Sequence, residues 1–98
     1  MVAIERVQTG VRMERNLLKV LKGLAEYLDI SLSDLLEGIV LHAFEAKPPF
    51  GEATIEIIGD LRRVYGFSLT ARESHQMTEG ETMPDRWAEP ATAHGKVL

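Results

Sequence analysis

The chain contains no cysteine, which removes disulfide frameworks, thiolate nucleophiles and cysteine-ligated metals together. That absence fits a reducing compartment, and a cytoplasmic protein is expected. No stretch reaches the roughly 18 consecutive apolar residues of a membrane span. The opening Met1-Val2-Ala3-Ile4-Glu5-Arg6 lacks the apolar core of a signal peptide, so no membrane partner is expected. The histidines are scattered at His42, His75 and His94, without zinc-ligand spacing, and neither a metal nor a cofactor is expected. A phosphate-binding glycine loop is also missing. Ser68, Ser74 and His75 are hydrolytic residue types with no geometry implied by their order. These absences argue against an enzyme.

Positive charge is in deficit, with 11 Lys and Arg against 15 Asp and Glu for a net charge of -4. The deficit is uneven. Residues 1–28 carry Arg6, Arg12, Arg15, Lys19 and Lys22 against Glu5, Glu14 and Glu26, whereas the rest of the chain is acidic. A dimer doubles the amino-terminal basic set, and the local field matters more than the total on a small contact face. A chain of 98 residues, 45% apolar, suits one small domain with appendages. Such a domain buries a smaller fraction of its surface than a large one, and dimerisation is a common remedy.

What is present is a patterned stretch from Val7 to Phe44. Val7, Thr9, Val11 and Met13 alternate with Gln8, Gly10 and Arg12, a period of two that predicts a short strand; the alternative is an irregular arm. Gly10 weakens a strand or marks the close approach of another backbone. A helix follows from about Arg15 to Leu28, with Leu17, Val20, Leu21, Leu24, Ala25 and Leu28 at three-and-four spacing. Asn16 is the expected cap, better suited than Glu14. Gly23 costs up to about 1 kcal/mol inside a helix and suggests the close approach of another backbone.

Ser31 is the expected N-cap of a second helix, with Asp34 in a shortened capping box and Ser33 as a rival cap. Leu32, Leu35, Leu36, Ile39, Val40 and Phe44 form one face with Leu41 at its edge, and Pro48-Pro49 stops the helix near Ala46. A third helix is predicted over Thr54 to Tyr65, closed by Gly66. Phe67 to Thr70 reads as a short extended piece, or Thr70 caps a helical turn through Gln76. The division expected is a patterned domain over 1–50 (the dimerisation and DNA-binding domain on the resemblance given next), a helical extension over 51–79 and a disordered tail over 80–98.

The strand ending in Val11-Arg12-Met13, the helix containing Leu24-Ala25-Glu26 and the Asp-Ile-Ser-Leu-Ser-Asp-Leu-Leu entry at 29–36 together resemble the ribbon-helix-helix family of DNA-binding proteins, over about residues 6–46. The resemblance implies a mainly α fold, an intertwined homodimer with an intersubunit antiparallel ribbon, plus a C-terminal helix. It implies a sequence-specific repressor that inserts the ribbon into the major groove of double-stranded DNA. Gln8, Gly10 and Arg12 map onto the base-contacting positions. Arg and Gln can pair bidentate with guanine and adenine, whereas Gly10 has no side chain to read with. Ser31, Leu32 and Ser33 map onto the helix N-terminus that clamps a phosphate. Arg6, Arg15, Lys19 and Lys22 are further phosphate candidates. Val11, Met13, Leu21, Leu24, Leu28, Leu36, Ile39 and Val40 are assigned to the dimer core. The rival expectation is an antitoxin-like protein-binding or dimerisation module, with weak or no DNA binding and a protein partner held by residues 51–98.

Overall fold

The structure, a computed structural model, describes residues 1–77. The expected tail at 80–98, Trp87 included, lies outside the described residues. Three helices carry the fold: α1 over Arg15–Leu28, α2 over Leu32–Phe44 and α3 over Glu52–Val64. Backbone contacts separate Met1–Phe67 from Ser68–Leu98.

Within Met1–Phe67, α1 is the shared element and packs on both α2 and α3. Leu24 and Ala25 of α1 are buried with Leu35 of α2, and Leu21, Leu28, Ile39, Phe50, Ile57, Ile58 and Leu61 close around them. Gly23 marks the crossing of α1 and α3. A Cβ placed there would meet a Leu61 methyl at 3.0 Å and the Tyr65 ring at 3.7 Å. The backbone approach expected at Gly23 is not what occurs: side chains of α3 and its cap, not a second backbone, lie against it.

Local chemistry sets the helix ends. Glu14, not Asn16, caps α1: its carboxylate accepts the Leu17 N–H at 2.7 Å. The longer side chain folds back across the first turn and places a negative charge at the positive end of the helix dipole. Ser31 caps α2 as expected, its hydroxyl accepting the Asp34 N–H at 3.0 Å. The three helices end in the same way, with a residue in the left-handed region and a backbone bond that spans the last turn. Asp29 (φ 61°), Ala46 (φ 57°) and Gly66 (φ 62°) occupy that position. The N–H groups of Ile30, Lys47 and Phe67 donate to the carbonyls of Ala25, His42 and Arg62 at 3.0, 2.9 and 2.8 Å.

Beyond Phe67, Ala71–His75 forms a short 3-10 helix, so Thr70 caps a turn and no extended piece forms there. Thr70 and Glu73 make a reciprocal capping box, with the Thr70 N–H donating to the Glu73 carboxylate at 2.7 Å. That bond holds the Glu73 carboxyl below its ordinary value.

The largest departure from expectation is at the amino terminus. No β-strand exists among the described residues; Val7 to Met13 runs as an irregular arm into α1. The ribbon-helix-helix resemblance is therefore overturned, since that family is defined by its intersubunit ribbon, and the fold is all-α with three helices. A strand needs ladder hydrogen bonds and a cover for its apolar face. Val7 and Val11 lie on the alternating face that should be covered, yet they are 78% and 71% exposed. Period two over seven residues, with Gly10 in the middle, does not hold a strand by itself.

Candidate interaction surface

Without a ribbon, the expected mechanism of DNA reading has no element to perform it, and the reading of the chain as an operator-binding repressor falls with it. Gln8, Gly10 and Arg12 lie along the exposed arm rather than on one face of a sheet. Of the expected phosphate set, Arg15, Lys19 and Lys22 fall on one exposed face of α1 by their three-and-four spacing, and the Lys19 ammonium stands 6.0 Å from the centre of the Tyr65 ring. The Ser31 hydroxyl is used in capping, Leu32 is half-buried and Ser33 is exposed.

Arg6, expected among the phosphate candidates, is engaged within the chain. Its guanidinium forks onto Glu37 of α2, with Nε 3.0 Å from Oε2 and a terminal nitrogen 2.8 Å from Oε1. The same terminal nitrogen reaches Asp34 at 3.3 Å. These are charge-assisted bonds of bidentate geometry. The hydrogen bond to Glu37 raises the Arg6 pKa, and the bond from Arg6 lowers that of the Glu37 carboxyl. Arg6 thereby fixes the arm to the side of α2 that faces away from the core.

Beside Glu37 that side carries an apolar stripe. Of the thirteen residues of α2, eight are Leu32, Leu35, Leu36, Ile39, Val40, Leu41, Ala43 and Phe44. Only Leu35 is buried, with Ile39 packed beside it in the core. At 100° per residue, Leu36, Val40 and Phe44 follow one another down the opposite face with Leu41 alongside. Val40 is 45%, Leu41 63% and Phe44 80% exposed. Ser33 and Glu37 share that side, yet the apolar stripe between them is left largely exposed. A groove of about 430 Å³ opens on it, lined by Ile4 of the arm with Leu36, Glu37, Val40 and Leu41.

The residues assigned to a dimer core divide accordingly. Leu21, Leu24, Leu28 and Ile39 belong to the core of the single chain. Leu36 is half-buried and Val40 exposed on the bare face of α2, while Met13 and Val11 belong to the arm. Sequence reasoning missed Ile4 and Glu37, because a contact across 31 positions leaves no local pattern. Phe44 and Leu41 were readable: two apolar stripes on one short helix exceed what one core contact uses.

His42 is exposed, and its Nδ1–H donates to the Gly38 carbonyl at 2.7 Å. Among the described residues no group of three or more His, Cys, Asp or Glu side chains is placed to hold a metal ion. No helix among them is long and apolar enough to cross a membrane. Comparison of the chain with family models, with curated proteins and with solved structures finds no match in any of the three.

Proposed function

We propose that the chain is a helical association module that pairs with a second copy of itself through the outer face of α2. The observation that carries this reading is the second apolar stripe, Leu36, Val40, Phe44 and Leu41, on a helix whose first stripe is already spent on the core. The core within one chain is small, with Val20, Leu24, Ala25 and Leu35 as its buried hydrophobics. A unit of this size gains most from a partner that is always present, and another copy is such a partner.

The face is self-complementary about a twofold axis through Val40. An antiparallel pair sets Leu36 against Phe44 of the second copy and Val40 against itself. The same pairing opposes the helix dipoles and brings Lys47 toward the acidic Asp34 end of the other α2. The segment 51–98, expected to hold a protein partner, is less suited over its described part. Ile57, Ile58 and Leu61 of α3 serve the core. The exposed Ile55 and Val64 are nine positions apart, on opposite sides of a 3.6-residue helix.

The absence of native cysteine makes the test direct. A Val40→Cys variant is expected to form a disulfide-linked dimer under mild oxidation, because the twofold brings the two Cβ atoms together, within the short span a disulfide bridges. An Ile55→Cys variant is expected to stay monomeric. A monomeric mass for the native chain in sedimentation equilibrium up to millimolar concentration, with no cross-link in the Val40→Cys variant, would refute the reading.

A further inference from the structure

The arm and the bare face of α2 meet at one place. Ile4 lines the groove together with Leu36, Glu37, Val40 and Leu41, and two residues later Arg6 is clamped to Glu37 and Asp34. One apolar side chain laid on the docking face beside one ionic clamp is the arrangement of a strap. We propose that residues 1–7 are a self-competing strap, which lies over part of the α2 face in the single chain, beside Leu36 and Val40, and must move aside for a second copy to dock there. This inference deepens the association reading above and rests on it for the identity of the docking partner.

The clamp is well suited to opening. Both ends are solvated: the Arg6, Asp34 and Glu37 side chains are each about half exposed. Ion pairs of this kind contribute little and are screened by salt. The arm has no secondary structure of its own to lose on release. Ile4 itself remains 61% exposed while it lines the groove. The strap is thus a light cover, able to reduce access severalfold without sealing the face.

A light cover has a quantitative consequence. If only a fraction of molecules has an open face, the apparent affinity of any ligand for that face falls by the same fraction. A small apolar dye needs one open face. A dimer needs two, one from each copy, so the strap acts on the dimer constant as the square of its effect on the dye. Should Arg6→Ala raise dye affinity about threefold, it raises the dimer association constant about ninefold. Raising sodium chloride should move the native chain in the same direction as Arg6→Ala and leave that variant unmoved.

The experiment measures binding of anilinonaphthalene sulfonate at a protein concentration low enough for monomer, and dimerisation by sedimentation equilibrium. It compares the native chain, Arg6→Ala, Glu37→Gln and a chain lacking residues 2–7. Increased dye binding in all three variants, with the squared gain in dimerisation for Arg6→Ala, is the expected result. Unchanged dye binding in Arg6→Ala and in the truncated chain overturns the strap. So does weaker dimerisation in Arg6→Ala, which would make the arm part of the interface and not its competitor. If no protein dimerises but dye binding still rises on release, the association reading fails and the strap stands, since the dye is then the displaced ligand's equivalent.

Discussion

Leu24 and Phe44 are apolar residues on adjacent helices, 2% and 80% exposed respectively. Truncating each to alanine should therefore separate the core of the single chain from its docking face. Leu24 is the most deeply buried large side chain, enclosed by α2 and α3. Removing it leaves a cavity in a core with few other members, at a cost of roughly 3 to 5 kcal/mol. A domain of this length is stable by roughly 5 to 15 kcal/mol, so Leu24→Ala should remove a large share of that and bring the urea midpoint well below the native one. Phe44 makes the opposite case. Full burial of such a side chain is worth about 1.5 to 3 kcal/mol, and four-fifths of that remains unused in the single chain. Two copies meet in a twofold pair, giving roughly 2.5 to 5 kcal/mol that Phe44→Ala removes from the dimer. Incomplete burial at an interface lowers that figure, so a loss of between about tenfold and 10³-fold in the association constant is expected. Urea unfolding followed by circular dichroism at two protein concentrations, beside sedimentation equilibrium, reads both quantities. At low concentration Phe44→Ala should unfold at the native midpoint. If it destabilises the monomer as Leu24→Ala does, or leaves association unchanged, the division of α2 into a core face and a docking face is wrong.

Three further outcomes follow from the geometry. Ala46 holds a left-handed backbone at the end of α2, which costs a residue with a Cβ roughly 1 to 2 kcal/mol; after the extra unfolded-state entropy of glycine, Ala46→Gly should raise the melting temperature by a few degrees, and a fall would contradict the assignment. Gly23→Val should destabilise the fold by roughly 1 to 3 kcal/mol through crowding against Leu61, whereas native stability in urea would mean that α3 does not cross α1 there. The Glu73 carboxyl is held below its ordinary value of 4.5 by the Thr70 N–H, so its capping contribution is complete above the unfolded value and is lost as pH falls through the folded one. An NMR titration of the Thr70 amide should show a midpoint below that of an unstructured glutamate and no such transition in Glu73→Gln; a midpoint at or above the ordinary value would remove the capping box.

Most of the helical content was legible because helix formation is local. The stripe of α1 gave its extent from Arg15 to Leu28, and Ser31, Gly66 and the Pro48-Pro49 stop marked other boundaries through backbone chemistry that acts within four residues. The cap of α1 was misread for a reason of degree: Asn is the better cap on average, but Glu14 reaches the right N–H from where the chain turns. The strand was misread for a reason of kind. Alternation states which side chains share a face, not whether a second backbone stands beside them, and Val7 and Val11 stay exposed among the described residues.

By itself, then, the sequence determined the helices, most of their caps and the surplus of apolar residues on α2, because propensity, capping and periodicity act between residues close along the chain. It also set what is missing, with no thiol and no metal-ligand spacing. Only the tertiary structure decided which apolar stripe of α2 faces α1 and which is left bare. It alone carried Arg6 across 31 positions to Glu37 and laid Ile4 beside Leu36 and Val40. Those contacts depend on where α1 and α2 cross, and packing of whole helix faces fixes that crossing, a property that no window of neighbouring residues contains.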